Sequence, residues 1–225
     1  RVVDEWNSAP SNTGAICFNK ETIKYSKLMR YSYNVLPRQI DPAAARLAFF
    51  LFGCFPGNLS NMSVKTEAAS GGFSEKFTTA GDFEMWSRIT RKYELILSET
   101  ETVYVRQHEN TASNYMTRNG EVYNQLLVIF EKLIDELSPS FNRKDLILYF
   151  HVNICAQHFR RAIKAALFGR FAYMKVMFKA KSSILWPGWL QFFSCFPLGF
   201  LENGRETISV RLAKNFVSNS KLHSA

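Results

Sequence analysis

A change of hydrophobic period near residues 115–120 is the feature that most constrains how this chain can fold. Before it, apolar runs of strand length alternate with segments whose apolar residues recur every three or four positions. After it, the apolar residues keep the helical period to the end of the chain. The pattern predicts an α/β unit over residues 1–117 and an all-helical region over 118–225.

The charge of the chain divides at nearly the same place. Residues 1–140 hold 15 basic and 16 acidic side chains, a net of −1, whereas residues 141–225 hold 13 and 3, a net of +10. The hydrophobic fraction of 47% excludes a disordered chain. An anionic partner is therefore expected at the helical region. The four scattered cysteines indicate a reduced, cytoplasmic setting rather than a disulfide framework.

The α/β unit contains recognisable start and stop signals. Asp41 and Pro42 predict a helix over 42–53, because Asp favours the N-cap and Pro the first helical position. A second helix is predicted over 83–93, with Phe83, Trp86 and Ile89 at helical spacing. Strands are predicted at 15–18, 59–65, 94–98 and 102–108, the last two separated by a polar turn.

In the helical region, an apolar stripe is predicted to face the core, formed by Val122, Leu126, Ile129, Leu133 and Leu137. A long helix follows from 143 to 168, with Asn142 as its N-cap and Gly169 as its stop. A further helix is expected over 171–182. The charge-free run 182–201 contains two prolines and two glycines, which indicates a buried or interfacial segment rather than a membrane span.

Three motifs in order suggest a function. They are GGFSE at 71–75, GDFEMW at 81–86 and YVRQHENTAS at 104–113. Their order resembles the C-terminal half of a family 2 glycosyltransferase. The resemblance implies a GT-A-like α/β fold that transfers a sugar from a nucleotide-sugar donor to a glycan or lipid-linked acceptor, with inversion.

The sequence lacks the Asp-x-Asp pair with which that family holds its metal, and no nucleotide-binding half precedes the motifs. We therefore expect a partial GT-A-like domain without its N-terminal half, inactive as it stands. The expected cofactor of the complete enzyme, Mn²⁺ or Mg²⁺, would not bind this chain alone.

Asp82 is the expected general base, because inverting transfer needs one carboxylate to accept the proton of the attacking hydroxyl. A helix start favours the ionised form that a base requires. The alternative is that Asp82 only caps the 83–93 helix. The family usually has Glu before this Asp, where this chain has Gly81. Glu84 is expected to be solvated or paired with Arg88.

The remaining motif residues each have two interpretations. The resemblance implies that His108 ligates the cation and that Arg106 contacts phosphate; the alternatives are a surface histidine and an ion pair with a neighbouring glutamate. Gly71 and Gly72 are expected to admit the acceptor closely, or to form a plain turn. Trp86 is a donor- or acceptor-binding candidate, although its helical spacing favours a core position.

Two weaker features lie in the helical region. His151, Cys155 and His158 share one helical face and are a candidate soft-metal site without an evident fourth ligand. The basic residues of 141–225, interleaved with aromatics, predict peripheral contact with an anionic membrane at the inner face of the cell membrane, or else a solvated helix face. A non-catalytic module that binds a membrane surface or nucleic acid is thus the alternative function, although no specific nucleic acid is expected.

Overall fold

A computed structural model describes residues 1–20, 26–57, 59–103, 120–182, 190, 193 and 202–220. It divides into two compact units, Arg1–Arg106 with Asn215–Ala225, and Gln107–Lys214. The sequence placed the whole of 118–225 in one helical region; the chain is helical there from Glu202 to Ser218, and its residues from Asn215 onward group with the first unit. Phe216 there is buried and packs edge-on against Phe50 of the first unit, with ring centroids 6.2 Å apart.

The first unit is built on a mixed sheet, in agreement with the predicted α/β class. Its described strands are β1 (Thr13–Lys20), β2 (Gln39–Ile40), β3 (Met62–Val64) and β4 (Glu94–Val103), in the order β2-β4-β1-β3. The central pair β1 and β4 is parallel, and each outer strand pairs antiparallel. The strand predicted over 59–65 is shorter than expected, because Leu59–Asn61 forms a 3₁₀ turn before β3.

β4 corrects the prediction of two strands separated by a turn. It is continuous through the polar residues, and the register with β1 jumps from Phe18 opposite Ser98 to Asn19 opposite Glu101. The polar residues between therefore form a bulge rather than a turn. A bulge keeps the strand paired while it re-aims side chains. The rest of the predicted strand, 104–108, lies outside the described residues.

The described residues of the first unit form four α-helices besides the end of the last helix: α1 (Val2–Ser8), α2 (Lys27–Val35), α3 (Pro42–Phe52) and α4 (Gly81–Ile89). The predicted cap of α3 is confirmed, since Asp41 Oδ1 accepts hydrogen bonds from the backbone N–H of Ala43 and Ala44 at 2.7 and 2.8 Å. α3 is apolar nearly all round because it packs against β4 and α4 and carries Phe50 against Phe216. α1 covers a second cluster, in which Trp6 packs against Ile16 and Ile96.

The described part of the second unit is helical. It contains α5 (Glu121–Leu137), α6 (Arg143–Phe150), a π-turn (His151–Cys155), α7 (Ala156–Leu167), α8 (Ala172–Lys179) and most of α9 (Glu202–Ser218). In α5 the buried stripe includes Tyr123 and Phe130, whereas Val122 and Leu126 are only half-buried. The predicted stripe is correct for Ile129, Leu133 and Leu137, but it left out Tyr123, Leu127, Phe130 and Ile134, which are also buried.

The helix predicted over 143–168 begins and ends as expected. Asn142 Oδ1 accepts from the backbone N–H of Lys144 at 2.9 Å, and Gly169 stops α7 with a φ of 75°. Between these points the π-turn interrupts it. A π-turn inserts one residue into the helical repeat and rotates the faces that follow. Among the described residues, no helix is both long and apolar enough to cross a membrane.

Candidate functional site

The Gly-Gly-Phe turn and the start of α4, two of the three motifs, adjoin in the structure. Arg88 of α4 donates from Nη2 to the carbonyl of Gly72 at 2.5 Å and from Nε to Glu84 Oε1 at 3.0 Å. The expected pairing of Glu84 with Arg88 is therefore confirmed. A Cβ built on Gly81 would lie 3.5 Å from the ring of Phe73. The turn is thus tied to the helix that carries Asp82.

Gly71 and Gly72 are each restricted to glycine, for different structural reasons. A Cβ at Gly71 would lie 2.7 Å from Nη1 of Arg88, so any larger residue would displace the guanidinium. Gly72 adopts a φ of 54°, which side chains disfavour. Both restrictions arise within the turn, so they support a structural role for the two glycines. The group that closely approaches the turn is the guanidinium of Arg88.

Asp82 is not the N-cap of α4. Ala80 occupies that position and makes no side-chain cap, while Asp82 is the second residue of the helix. Its Oδ1 accepts from the backbone N–H of Phe83 at 2.8 Å. A carboxylate in a first turn is stabilised by the N–H groups that have no intrahelical partner. The capping interpretation is therefore wrong in detail, and the carboxylate lies half-buried where its ionised form is favoured.

A row of aromatic rings connects the start of α4 to a cleft. Phe83 stacks on Phe49 with centroids 5.9 Å apart, and Phe49 packs on Phe55 at 4.9 Å. Phe55 in turn lines a cleft at the edge where the parallel strands β1 and β4 run towards their carboxyl ends. Ligands in α/β folds bind preferentially at this edge of a sheet.

The cleft has a volume of about 240 Å³ and walls that are more apolar than polar. Its polar groups come from Asn19 near the end of β1, Ser98 in the middle of β4, Ser32 and Tyr33 of α2, Arg38, and Asn61. Asn61 is buried and donates from Nδ2 to the carbonyls of Phe18 and Pro56 at 3.1 and 3.0 Å. Whole small-molecule ligands occupy pockets of about 300–1,000 Å³, so this cleft has room for part of a ligand, such as one sugar ring.

The bulge of β4 organises one side of this cleft through Glu5. Ser98 and Thr100 donate to Glu5 Oε1 at 2.7 and 2.9 Å, and Arg38 donates to its Oε2 at 3.1 Å. The hydrogen bond from Ser98, followed by those from Thr100 and Arg38, lowers the pKa of Glu5 and outweighs the opposing effect of burial. A single carboxylate thus fixes the bulge and orients Arg38 at the cleft.

The other site residues named from the sequence do not join this cleft. Trp86 is 3% exposed and lies in the core, as its helical spacing favoured, so its indole is not a sugar-stacking surface. Arg106 and His108 lie outside the described residues.

The candidate soft-metal site in the second unit is not formed. The π-turn separates the environments of its residues: Cys155 Sγ contacts Tyr123 OH at 3.4 Å, and His158 Nδ1 bonds Tyr173 OH at 2.5 Å. Burial, followed by the charge of Arg161, lowers the pKa of His158 to about 3. In the described part of the chain, no group of three His, Cys, Asp or Glu side chains could hold a metal ion.

His158 instead belongs to a buried hydrogen-bonded chain. Tyr173 is 1% exposed, and its pKa is raised to about 12 by burial, against the smaller effects of Arg161. Because the guanidinium of Arg161 donates to the phenol oxygen, the phenol proton is available to Nδ1 of His158. The imidazole then carries its own proton on Nε2 and stays neutral.

Comparisons of the chain with protein-family models, with curated proteins and with solved structures give no match. The site therefore has to be interpreted from its own residues. Reasoning from the sequence missed Glu5, Arg38 and Asn61, because none of them belongs to a motif and each acts on a strand distant in the sequence. The polar run Ser98-Glu99-Thr100 was the available signal, and it was interpreted as a turn.

Proposed function

We propose that this chain provides the acceptor-side half of an inverting glycosyltransferase that uses a nucleotide-sugar donor and a glycan or lipid-linked acceptor. One observation carries the proposal. Arg88 ties the Gly-Gly-Phe turn to α4, so two motifs that resemble the family form one structural unit around Asp82. A chance resemblance of short motifs gives no reason for this contact.

The chemistry assigned to Asp82 is proton acceptance. An acceptor hydroxyl attacks the anomeric carbon of the donor from the face opposite the nucleoside diphosphate. The new C–O bond forms as the bond to the diphosphate breaks, and the hydroxyl proton passes to the carboxylate of Asp82. The backbone N–H of Phe83 donates to Oδ1 of that carboxylate and holds it in the first turn of α4.

The cleft supplies a second role, which is to hold the acceptor. Its volume of about 240 Å³ suits one sugar ring of a longer glycan, with several polar groups among a mainly apolar lining. Phe55 and Phe49 lie between it and Phe83, the neighbour of Asp82 in the chain. All three rings are buried, so they fix the position of α4 relative to the cleft by core packing and do not form a path for the acceptor.

The described residues do not fit the divalent cation that the resemblance implies. They contain no group of three candidate ligands, and the sequence has no Asp-x-Asp pair. The ligands of the cation, and the contacts to the nucleotide, would have to come from residues other than those described.

The decisive experiment compares Asp82→Asn with the unsubstituted protein, in the longest natural chain that contains these residues. Transfer is measured with uridine, guanosine and thymidine diphosphate sugars and a panel of lipid-linked acceptors. Loss of a general base lowers kcat by about 10²–10⁴-fold, and we expect a loss in this range with donor binding retained. The Asn side chain keeps the shape of Asp but cannot accept the proton.

Asp145→Asn is the matched control, because Asp145 is also an acidic residue in the first turn of a helix. It should leave kcat unchanged. If Asp82→Asn kept more than about a tenth of kcat, the base assignment would be wrong. If no donor supported transfer in the unsubstituted protein, the proposed function itself would fail.

A further inference from the structure

The turn between α7 and α8 exposes three large apolar side chains within five residues. Leu167, Phe168 and Phe171 are 80%, 72% and 55% exposed. Soluble proteins expose single apolar residues often, but clusters at one point mark interaction surfaces. Together these three residues form the apolar tip of the helical pair.

The fold buries some aromatic residues of α7 and α8 and leaves others, at the turn between them, exposed. Phe159 of α7 and Tyr173 of α8 are 0% and 1% exposed and fill the core of the unit. Phe168 and Phe171 lie at the turn and contribute little to that core. The sequence could not make this distinction, since all four residues occur among the same basic residues. The exposed pair is thus available to a partner.

Cations surround the apolar tip. Between Asp145 and Glu202 the chain contains no acidic residue and seven basic ones: Arg160, Arg161, Lys164, Arg170, Lys175, Lys179 and Lys181. All seven are exposed. Lys164 and Lys175 lie within about one helical turn of the tip on its two sides, and Arg170 lies in the turn itself.

We propose that the apolar tip inserts into an anionic membrane surface while the flanking cations contact the lipid phosphates. Interfacial protein segments place apolar side chains about 5–10 Å into the headgroup boundary, with Lys and Arg at the level of the phosphates. The tip has this arrangement: apolar residues at the end of a helical pair and cations behind them. Long basic side chains also extend towards the phosphates while their stems remain in apolar surroundings.

The positive charge near the apolar tip favours an anionic membrane over a second copy of the chain as its partner. Two tips brought together would oppose two sets of cations with no acidic residue between Asp145 and Glu202 to compensate them. An anionic lipid surface compensates them instead, at up to about 1 kcal/mol for each basic residue near the surface. The tip is a turn that exposes its apolar side chains, so these side chains can enter a lipid surface.

Vesicle co-sedimentation of the full chain tests the proposal. Vesicles of phosphatidylcholine alone are compared with vesicles that also contain phosphatidylglycerol, over a series of salt concentrations. We expect binding to the anionic vesicles only, weakening as the Debye length shortens. Leu167→Ser combined with Phe168→Ser should lower the partition coefficient by about tenfold or more, because both side chains would leave the lipid.

Two control variants make the result specific. Val128→Ser with Leu148→Ser removes apolar side chains that are 54% and 50% exposed elsewhere in the same unit, and it should bind as the unsubstituted chain does. Lys164→Gln with Arg170→Gln should weaken binding and flatten its salt dependence, whereas Lys164→Arg with Arg170→Lys should restore both. Circular dichroism melting shows whether each variant folds.

Three outcomes would overturn the proposal. Equal binding to neutral and anionic vesicles would remove the role of the cations. Binding that survives the Leu167 and Phe168 substitutions would place the membrane contact elsewhere in the chain. An absence of vesicle binding would leave the tip to a second copy or an acidic protein, and sedimentation velocity with and without the double substitution would identify the former. Asp82→Asn should bind vesicles normally, so this test is independent of the proposed catalysis.

Discussion

At the scale of single residues, side chains outside the sequence motifs make the contacts that connect separate segments of the first unit. Glu5 accepts three hydrogen bonds, and through them it connects α1 with the bulge of β4 and with Arg38. Arg88 does the same for the Gly-Gly-Phe turn. Each joins segments that are separated in the sequence, so substitution of one of these residues should destabilise both of the segments that it connects.

Glu5→Gln is expected to destabilise the first unit at neutral pH by about 1–2 kcal/mol, because hydrogen bonds to a charged group are stronger than neutral ones. The hydrogen bonds lower the folded pKa of Glu5 below its ordinary value of 4.5. Its contribution is therefore complete above the unfolded pKa and is lost as the pH falls through the folded value. Urea unfolding should show the difference at pH 7 and show it shrinking in strong acid.

Asp4→Asn is the control for Glu5→Gln. Asp4 pairs with the N-terminal amine, and both groups are 82% exposed, so its removal should change the free energy of unfolding by less than about 0.5 kcal/mol. If Glu5→Gln cost as little as this control, the hydrogen bonds to the bulge would not be stabilising.

At the scale of elements, helix ends and breaks decide the geometry of the second unit. Asn142 starts α6, Gly169 stops α7, and Gly120 precedes α5 with a φ of 82°. The π-turn changes which residues of the following helix face inward. Arg205 of α9 uses this turn, since its Nη1 donates to the carbonyl of Asn153 at 3.2 Å.

Gly120→Ala should destabilise the second unit strongly. A Cβ at that position would lie 2.4 Å from Cδ2 of the buried Tyr173, in addition to the strain of a positive φ. The strain alone costs of order 1–3 kcal/mol, and the displaced ring adds to it. Gly169→Ala is the matched control, because its φ is 75° but nothing lies within 4 Å of the new Cβ. Thermal unfolding should show a clearly larger decrease in Tm for Gly120→Ala; equal decreases would contradict the steric argument.

At the scale of the whole molecule, the two units place their main charges differently. The buried polar network of the second unit includes a neutral imidazole, whereas the first unit holds a half-buried ionised carboxylate in Glu5. Residues 107–214 hold 14 basic and 8 acidic side chains, a net of +6 out of the chain's +9. The units should accordingly respond to acid in different pH ranges.

The second unit is expected to lose stability as the pH falls below about 6.5. His158 is kept neutral in the folded state, with a pKa of about 3, so the unfolded chain binds one proton more between these values. This difference gives a slope of up to about 1.4 kcal/mol per pH unit. His158→Gln, whose side-chain oxygen can accept from Tyr173, should reduce that slope. His151→Gln, at a partly exposed position, should keep it, and unfolding from pH 7 to pH 4 measures both.

By itself, the sequence determined the features that depend on neighbours in the chain. Asp41 and Asn142 cap helices where they were expected to, Gly169 stops one, and Trp86 is buried at its helical spacing. These outcomes follow from local geometry, since a cap or a stop acts within one turn of the helix. The pairing of Glu84 with Arg88 is local for the same reason.

Tertiary structure alone decided the features that depend on distant partners. Ser98 and Thr100 became a bulge because Glu5, more than ninety residues earlier, accepts their hydrogen bonds. His158, a candidate metal ligand in the sequence, is buried in the structure, where its ring nitrogen is hydrogen-bonded to Tyr173. A polar residue that satisfies its hydrogen bonds at long range leaves no periodic signal, because the partner is set by how the elements pack and not by spacing along the chain.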